Sequence, residues 1–211
     1  MKGWSASLAA AAVLAGACAA LPSGPGGRGG FPSFTPSPPP GPPWLDDVRL
    51  PEHLPRPARD VEIEIASACR TLLEGDFQAT TGAARRLVDL GEIAVPYLGH
   101  VAAAVSDPDG RVPIVIATIL RNAPPSHLGP LLASPYEPVL LAAAEVCGEQ
   151  RVAQHAPRLV VLLDHPSEDV RRAAVAALRR ISHEFHGYRP GASAGERAEA
   201  TARWRALWPS G

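Results

Sequence analysis

The chain has 211 residues, and its 20 Lys and Arg nearly balance 21 Asp and Glu, for a formal net charge of −1 at pH 7. This balance argues against a general nucleic-acid or polyanion binder. The three cysteines include no CxxC pair and no zinc-ligand spacing. Cys69 and Cys147 lie among apolar residues and are predicted to be buried thiols, with a disulfide between them as the alternative.

Residues 1–20 are predicted to be an export signal. Met1 and Lys2 supply a basic start, Leu8–Ala20 is an uninterrupted run of small and apolar residues, and Pro22 follows it. As a helix this run is about 20 Å long, which is too short for a bilayer core of about 30 Å.

The run ends in Leu14-Ala15-Gly16-Ala17-Cys18, which resembles the bacterial lipobox, in which the cysteine becomes the lipid-modified N-terminus. The resemblance implies lipidation of Cys18 and an exported, membrane-anchored lipoprotein of the cell envelope. The usual leucine lies three residues before the cysteine, where this chain has Ala15. Ala17-Cys18-Ala19 also fits a small-x-small cleavage site, so a soluble periplasmic or secreted protein is the alternative.

Residues 21–57 are predicted to be a disordered linker rich in proline and glycine. Residues 22–57 contain 12 of the 24 prolines and show no apolar periodicity with which to bury a core. Pro36–Pro43 favours extended polyproline II, which suits a spacer between membrane and domain, or alternatively a ligand for a proline-binding groove. Trp44-Leu45 could dock on the domain as a latch. We expect the linker to be dispensable for folding.

Residues 58–211 are predicted to form one all-α domain, because no segment alternates with a period of two. Helix N-termini are indicated by Ser134-Pro135, Ser167 and Ser193-Ala-Gly-Glu196, and C-caps by Gly91 and Gly148. Helices are expected near 59–74, 77–90, 93–105, 111–122, 126–133, 136–147, 152–164, 168–183 and 194–208.

One helical pattern occurs three times. Its last copy runs from Pro157-Arg-Leu159 through Asp164 to Asp169-Val170-Arg171 and Ile181, and weaker copies start at Pro96 and Pro130. Repetition at this length predicts stacked helix pairs, since one pair cannot bury its apolar face alone. Val112–Leu120 and Val139–Ala144 are apolar nearly all round, which places them inside the stack, with the helix at 168–183 nearer a surface.

This pattern resembles the HEAT-like repeat in its short, phycobilisome-lyase-type form. The resemblance implies a right-handed α-solenoid of stacked antiparallel helix pairs, about four pairs with a C-terminal capping helix. It also implies that Arg171 pairs with Asp164 at the turn between two helices. The starts of the copies lie 34 and 27 residues apart, against about 40 residues or more in standard HEAT units.

The C-terminal tail carries an aromatic helix face. Ala200, Trp204, Leu207 and Trp208 recur at helical spacing and are interpreted as a lid over the end of the stack. Phe185 and Tyr188 are predicted to lie beneath the lid. An exposed aromatic platform for a ligand is the alternative.

The sequence contains no recognisable catalytic motif. In His183-Glu-Phe-His186 the histidines are three residues apart, whereas the metalloprotease helix needs them four apart. His100, His127 and His155 are isolated in the sequence. A nucleophile elbow and a phosphate-binding loop before a helix are both missing. We therefore predict no catalytic residues, no metal and no cofactor.

Charge is concentrated at one place in the sequence, where four arginines lie in the predicted helix at 168–183. Arg171, Arg172, Arg179 and Arg180 are the candidate partner-binding residues, since guanidinium groups suit carboxylates, phosphates or an acidic peptide. The alternative is a solvated helix face, because Glu168 and Asp169 lie beside them and reduce the net field.

Together these features predict a non-enzymatic protein-interaction scaffold or adaptor of the bacterial cell envelope, tethered by lipid. It would bind an unidentified protein partner and the membrane, and no nucleic acid. The alternatives are an enzyme or enzyme-positioning subunit acting on an envelope substrate, and a purely structural envelope protein. A deep polar pocket with convergent titratable groups would favour an enzyme, and a broad groove would favour a scaffold.

Overall fold

The computed structural model describes residues 41–105, 107 and 109–208, which all fall in one compact unit. The predicted signal, Cys18 and the first part of the predicted linker lie outside the described residues. The described part is all-helical, without a strand, as predicted. Its α-helices are α1 (Arg59–Glu74), α2 (Phe77–Leu90), α3 (Val95–Ala104), α4 (Arg111–Asn122), α5 (Pro125–Leu131), α6 (Glu137–Glu149), α7 (Ala156–Leu162), α8 (Glu168–Ser182) and α9 (Ala194–Leu207). Short 3₁₀ helices occupy Pro43–Asp47, Gly91–Ala94 and Ala153–His155.

The helices pack mainly against near neighbours in the chain. The even-numbered helices form one series, in which α2 contacts α4, α4 contacts α6 and α6 contacts α8. Helices α3 and α5 also pack on α6, and α7 packs on α8 and α9. Helix α6 is consequently enclosed on nearly all sides, as its apolar sequence predicts. Helix α4 departs from the prediction, since Ile114 is 63% exposed.

Helices α8 and α9 begin at the predicted caps. The Ser167 hydroxyl accepts from the Val170 amide at the start of α8, and Glu168 and Asp169 occupy its first turn. Ser193 and Glu196 form a reciprocal capping box at the start of α9. These side chains satisfy backbone donors that a helix start leaves unpaired, so both helices start at fixed residues.

Gly148 is not the predicted C-cap. Helix α6 continues to Glu149, and the left-handed residue beyond it is Arg151, with φ of 53°. A Cβ atom at position 148 would lie 2.8 Å from the Cα atom of Ala177. Gly148 therefore permits the close approach of α6 and α8. The start of α6 also differs from the prediction, because the helix begins at Glu137 rather than at Pro135.

The predicted linker boundary at residue 57 is wrong, because the chain from residue 43 onward packs on the helices. Leu45 is fully buried and Val48 is 3% exposed. The Arg49 amide donates to the Tyr136 hydroxyl at 3.0 Å, and the Trp44 ring stacks on His100 with centroids 5.4 Å apart. We call residues 41–56 the N-terminal segment; it is part of the folded domain.

A buried carboxylate holds the N-terminal segment to α1. Glu62 is 2% exposed and accepts hydrogen bonds from Arg56 at 3.0 Å, Arg59 at 2.8 Å and the Tyr97 hydroxyl at 2.9 Å. Burial, together with the hydrogen bond to Glu62, raises the pKa of Tyr97. A buried charge is tolerated only when it is paired and hydrogen-bonded, so Arg56 contributes to the fold as a counter-ion of Glu62.

The C-terminal tail is partly as predicted. Tyr188, Ala200 and Trp204 are buried, and α9 packs on α7. Phe185 and Leu207 are 58% and 43% exposed, so their predicted burial is wrong.

The two internal cysteines are unpaired. Cys69 and Cys147 are both buried as free thiols, so the alternative disulfide is not formed. Burial raises the pKa of each thiol to about 12. Both thiols are therefore protonated and act as small apolar side chains.

Candidate functional site

Arg171 is a structural residue and cannot meet a partner. It is only 7% exposed. Its Nη1 donates to the carbonyl oxygens of His165 at 2.8 Å and Pro166 at 2.6 Å, and its Nε and Nη2 donate to the Pro190 carbonyl at 3.0 and 2.9 Å. These bonds join the turn before α8 to the loop before α9. The predicted role of Arg171 in partner binding is thus wrong.

The predicted ion pair between Arg171 and Asp164 is also absent from the described residues. Asp164 instead accepts from Arg205 of α9 at 2.6 Å. Arg172 donates to Glu168 at 2.8 Å and to Asp169 at 2.5 Å on its own helix. Its charge is compensated, which leaves Arg179 and Arg180 as candidates.

Arg179 and Arg180 line a broad groove between the C-terminal ends of α6 and α8. The Arg179 guanidinium carbon lies 4.9 Å from the centroid of the Phe185 ring, a cation–π contact. The groove encloses about 770 Å³. Its lining residues are Gly148, Glu149, Arg151, Ala176, Arg179, Arg180, His183, Glu184 and Phe185. We call it the Arg179 groove.

The Arg179 groove has an excess of available positive charge. Of its two acidic side chains, Glu149 is hydrogen-bonded to Arg121 at 2.8 Å, and Glu184 Oε2 lies 3.1 Å from His186 Nε2. The hydrogen bond from Arg121 lowers the pKa of Glu149. Among the described residues, no carboxylate oxygen lies within 4.0 Å of the Arg179 or Arg180 guanidinium. Their charges complement the C-terminal dipole of α8 and leave the guanidinium donors for a partner.

A second arrangement brings together groups that the sequence keeps far apart. His53 of the N-terminal segment, Glu92 of the 3₁₀ helix before α3 and His127 of α5 each place a ligand-type atom within 4.8 Å of the other two. His127 Nδ1 lies 2.8 Å from Glu92 Oε2, and His53 Nε2 lies 3.8 Å from the same oxygen. We call these residues the His53 cluster.

His53 is the unsatisfied member of the cluster. Both of its ring nitrogens are shielded from solvent and have no hydrogen-bond partner among the described residues. Burial, and next the proximity of His127, lower the pKa of His53, while Glu92 opposes the shift. An unpartnered buried polar group costs about 1–3 kcal/mol, so this arrangement needs an explanation beyond packing.

The N-terminal segment also closes a cavity of about 440 Å³ beside the cluster. Of the three cluster residues only His53 lines the cavity, which is mainly apolar. The other lining residues are Arg49, Leu50, Pro51, Glu52, Pro96, Pro130, Leu131, Ala133, Ser134, Pro135, Val139 and Arg158. Sequence reasoning missed this region, because His127 is isolated in the sequence and His53 lies in a stretch interpreted as linker.

Comparison with known proteins finds a family match for part of the chain. Residues 125–186 match the family described as HEAT repeats. No curated protein and no solved structure matches the chain. The matched residues contain α5, α6, α7 and α8, and hence both helices that border the Arg179 groove. The all-helical fold and this match support a HEAT-like repeat family for this part of the chain.

Proposed function

We propose that this protein is a non-enzymatic interaction scaffold that is exported and held at a membrane by lipid on Cys18. The observation that carries the scaffold role is the match of residues 125–186 to HEAT repeats, which are commonly protein-interaction scaffolds. Export and the anchor rest on the sequence alone, namely the apolar run that ends in Leu14-Ala15-Gly16-Ala17-Cys18. The series α2, α4, α6, α8 fits a right-handed α-solenoid of about four helix pairs with α9 as its cap. The repeats would be of the short, phycobilisome-lyase type, because their copies start only 34 and 27 residues apart.

The Arg179 groove is the proposed docking surface. A broad groove between stacked helices, here α6 and α8, is the kind of surface that repeat proteins use for binding. Arg179 and Arg180 offer bidentate donors, and Phe185 offers an exposed ring beside them. This combination suits a partner segment that carries a carboxylate next to an apolar side chain.

Reversing the groove charges should abolish partner binding. Arg179→Glu with Arg180→Glu replaces two cations that form no ion pair among the described residues by anions, and like charges across an interface cost several kcal/mol. Affinity capture from the native cells, followed by quantitative mass spectrometry, should show at least a tenfold loss of the proteins captured by the wild type. Arg172→Glu is the matched control, since Arg172 lies on the same helix outside the groove. Equal losses in both variants, or none in either, would contradict the assignment of the groove.

The lipid anchor has its own test. Cys18→Ser removes the thiol that would carry the lipid, so the protein should move from the membrane fraction to the soluble exported fraction. Immunoblotting of the two fractions measures the change. A variant that stays in the membrane fraction, with unchanged processing, would show that Cys18 carries no anchor. The scaffold proposal would survive that result, because the groove does not depend on the anchor.

A further inference from the structure

We propose that His53, Glu92 and His127 bind a divalent transition-metal ion, Zn²⁺ in the first instance, and that this ion fastens the N-terminal segment to the helical repeats. The site lies outside the Arg179 groove and is independent of the scaffold function. Its ligands come from three parts of the chain, namely the N-terminal segment, the 3₁₀ helix before α3, and α5.

The donor set fits zinc. Two imidazole nitrogens and one carboxylate oxygen are a common combination for Zn²⁺ with three protein ligands. Tetrahedral bonds of about 2.0–2.2 Å place ligand atoms roughly 3.3–3.6 Å apart. The present separations from Glu92 Oε2 are 2.8 Å to His127 Nδ1 and 3.8 Å to His53 Nε2. They bracket that spacing, and no pair exceeds 4.8 Å, so shifts of about an ångström in the side chains complete the geometry.

The state of His53 favours a metal over a purely structural cluster. A hydrogen bond between His127 and Glu92 accounts for those two residues. It does not account for His53, whose Nε2 lies 3.8 Å from the carboxylate, shielded from solvent and without a hydrogen-bond partner among the described residues. A metal ion between the three groups would use the Nε2 lone pair and replace the His127–Glu92 hydrogen bond by two coordinate bonds.

The location gives the ion a structural role. A metal that joins the N-terminal segment to two other elements stabilises only the folded state, in which its ligands converge. Three protein ligands also leave one coordination position for water or for a carboxylate of another molecule. The ion would act together with Glu62, which holds the same segment to α1.

Metal binding to the full chain tests the proposal. Zn²⁺ is titrated into chelator-treated protein carrying Cys18→Ser, in competition with a chromophoric chelator. One equivalent is expected to bind with a Kd below 1 µM, which corresponds to a binding free energy of about −8 kcal/mol or more negative. Co²⁺ should give the visible absorption bands of a four-coordinate site. Zn²⁺ at about 100 times its Kd should raise the melting temperature by roughly 5–11 °C.

The variants His53→Ala and Glu92→Gln should each raise the Kd at least about 100-fold, since even the loss of an outer-shell partner costs 10–100-fold. Glu92→Gln preserves the shape of the side chain and should leave the fold intact. Circular dichroism of the metal-free variants checks that they are folded. His155→Ala is the control, a histidine outside the cluster, and should bind as the wild type does. Millimolar binding, or tight binding that both cluster variants retain, would overturn the proposal.

Discussion

Trp204→Ala should lower the free energy of unfolding by about 3–5 kcal/mol, the usual cost of truncating a buried Trp. Trp204 is fully buried, its ring lies edge-on to His186 with centroids 4.3 Å apart, and it stacks on Trp208 at 5.7 Å. For a domain of this size the melting temperature should fall by roughly 6–20 °C. Thermal and urea unfolding, followed by circular dichroism, measure both quantities.

Two further substitutions separate packing from other effects of the Trp204 change. Trp204→Phe keeps an aromatic ring and removes an indole N–H that has no hydrogen-bond partner among the described residues, so it should lower the free energy of unfolding less than Trp204→Ala does. Phe77→Ala removes an aromatic ring that is 87% exposed and should change stability by about 0.5 kcal/mol or less. If Trp204→Ala behaved like Phe77→Ala, α9 would not be a packed cap, and the aromatic platform would replace it as the interpretation.

Leu45→Ala should lower the free energy of unfolding by about 2–5 kcal/mol, although the sequence predicts that Leu45 lies in a linker. The side chain is fully buried, and Arg56, which bonds to the Leu45 carbonyl, also pairs with Glu62. Removing the leucine leaves a cavity beneath the N-terminal segment. Urea unfolding measures the loss. Leu207→Ala, at a position that is 43% exposed, provides the control and should have a much smaller effect.

A truncated chain that starts at Ala58 extends the Leu45 test. It lacks the whole N-terminal segment and leaves Glu62 with one arginine fewer, so it should be at least as unstable as Leu45→Ala. The comparison is with a chain that starts at Gly41. Equal melting temperatures would restore the sequence-based expectation that residues up to 57 are dispensable.

The helices were predictable because local chemistry sets their ends. Helix α2 is flanked by its N-cap Asp76 and its C-cap Gly91, whose φ of 70° suits glycine, and its apolar residues recur at helical spacing between them. The start of α6 was misplaced because Tyr136, just before the helix, is held by tertiary contacts with Arg49 and His100. Such contacts leave no trace in the neighbouring sequence.

The candidate sites were harder to predict than the helices. Arg179 and Arg180 could be selected as candidates from charge alone, but the buried Arg171 could not be distinguished from them. Its partners are backbone carbonyls, which any sequence offers, and one of them belongs to a loop beyond the helix. The His53 cluster depends on the docking of the N-terminal segment, which a proline-rich composition argues against.

The docking of the N-terminal segment also affects the order in which the protein folds. Besides its local contacts with α1, it has partners far along the chain, since Arg49 bonds to Tyr136 and His53 faces His127. Most other contacts join neighbouring helices, which close short loops and form quickly. The segment is synthesised before the helices, but its docking can be completed only after His127 and Tyr136 are in place. The slow step of folding should therefore be the docking of the N-terminal segment on its distant partners, although this segment is the part of the domain that is synthesised first.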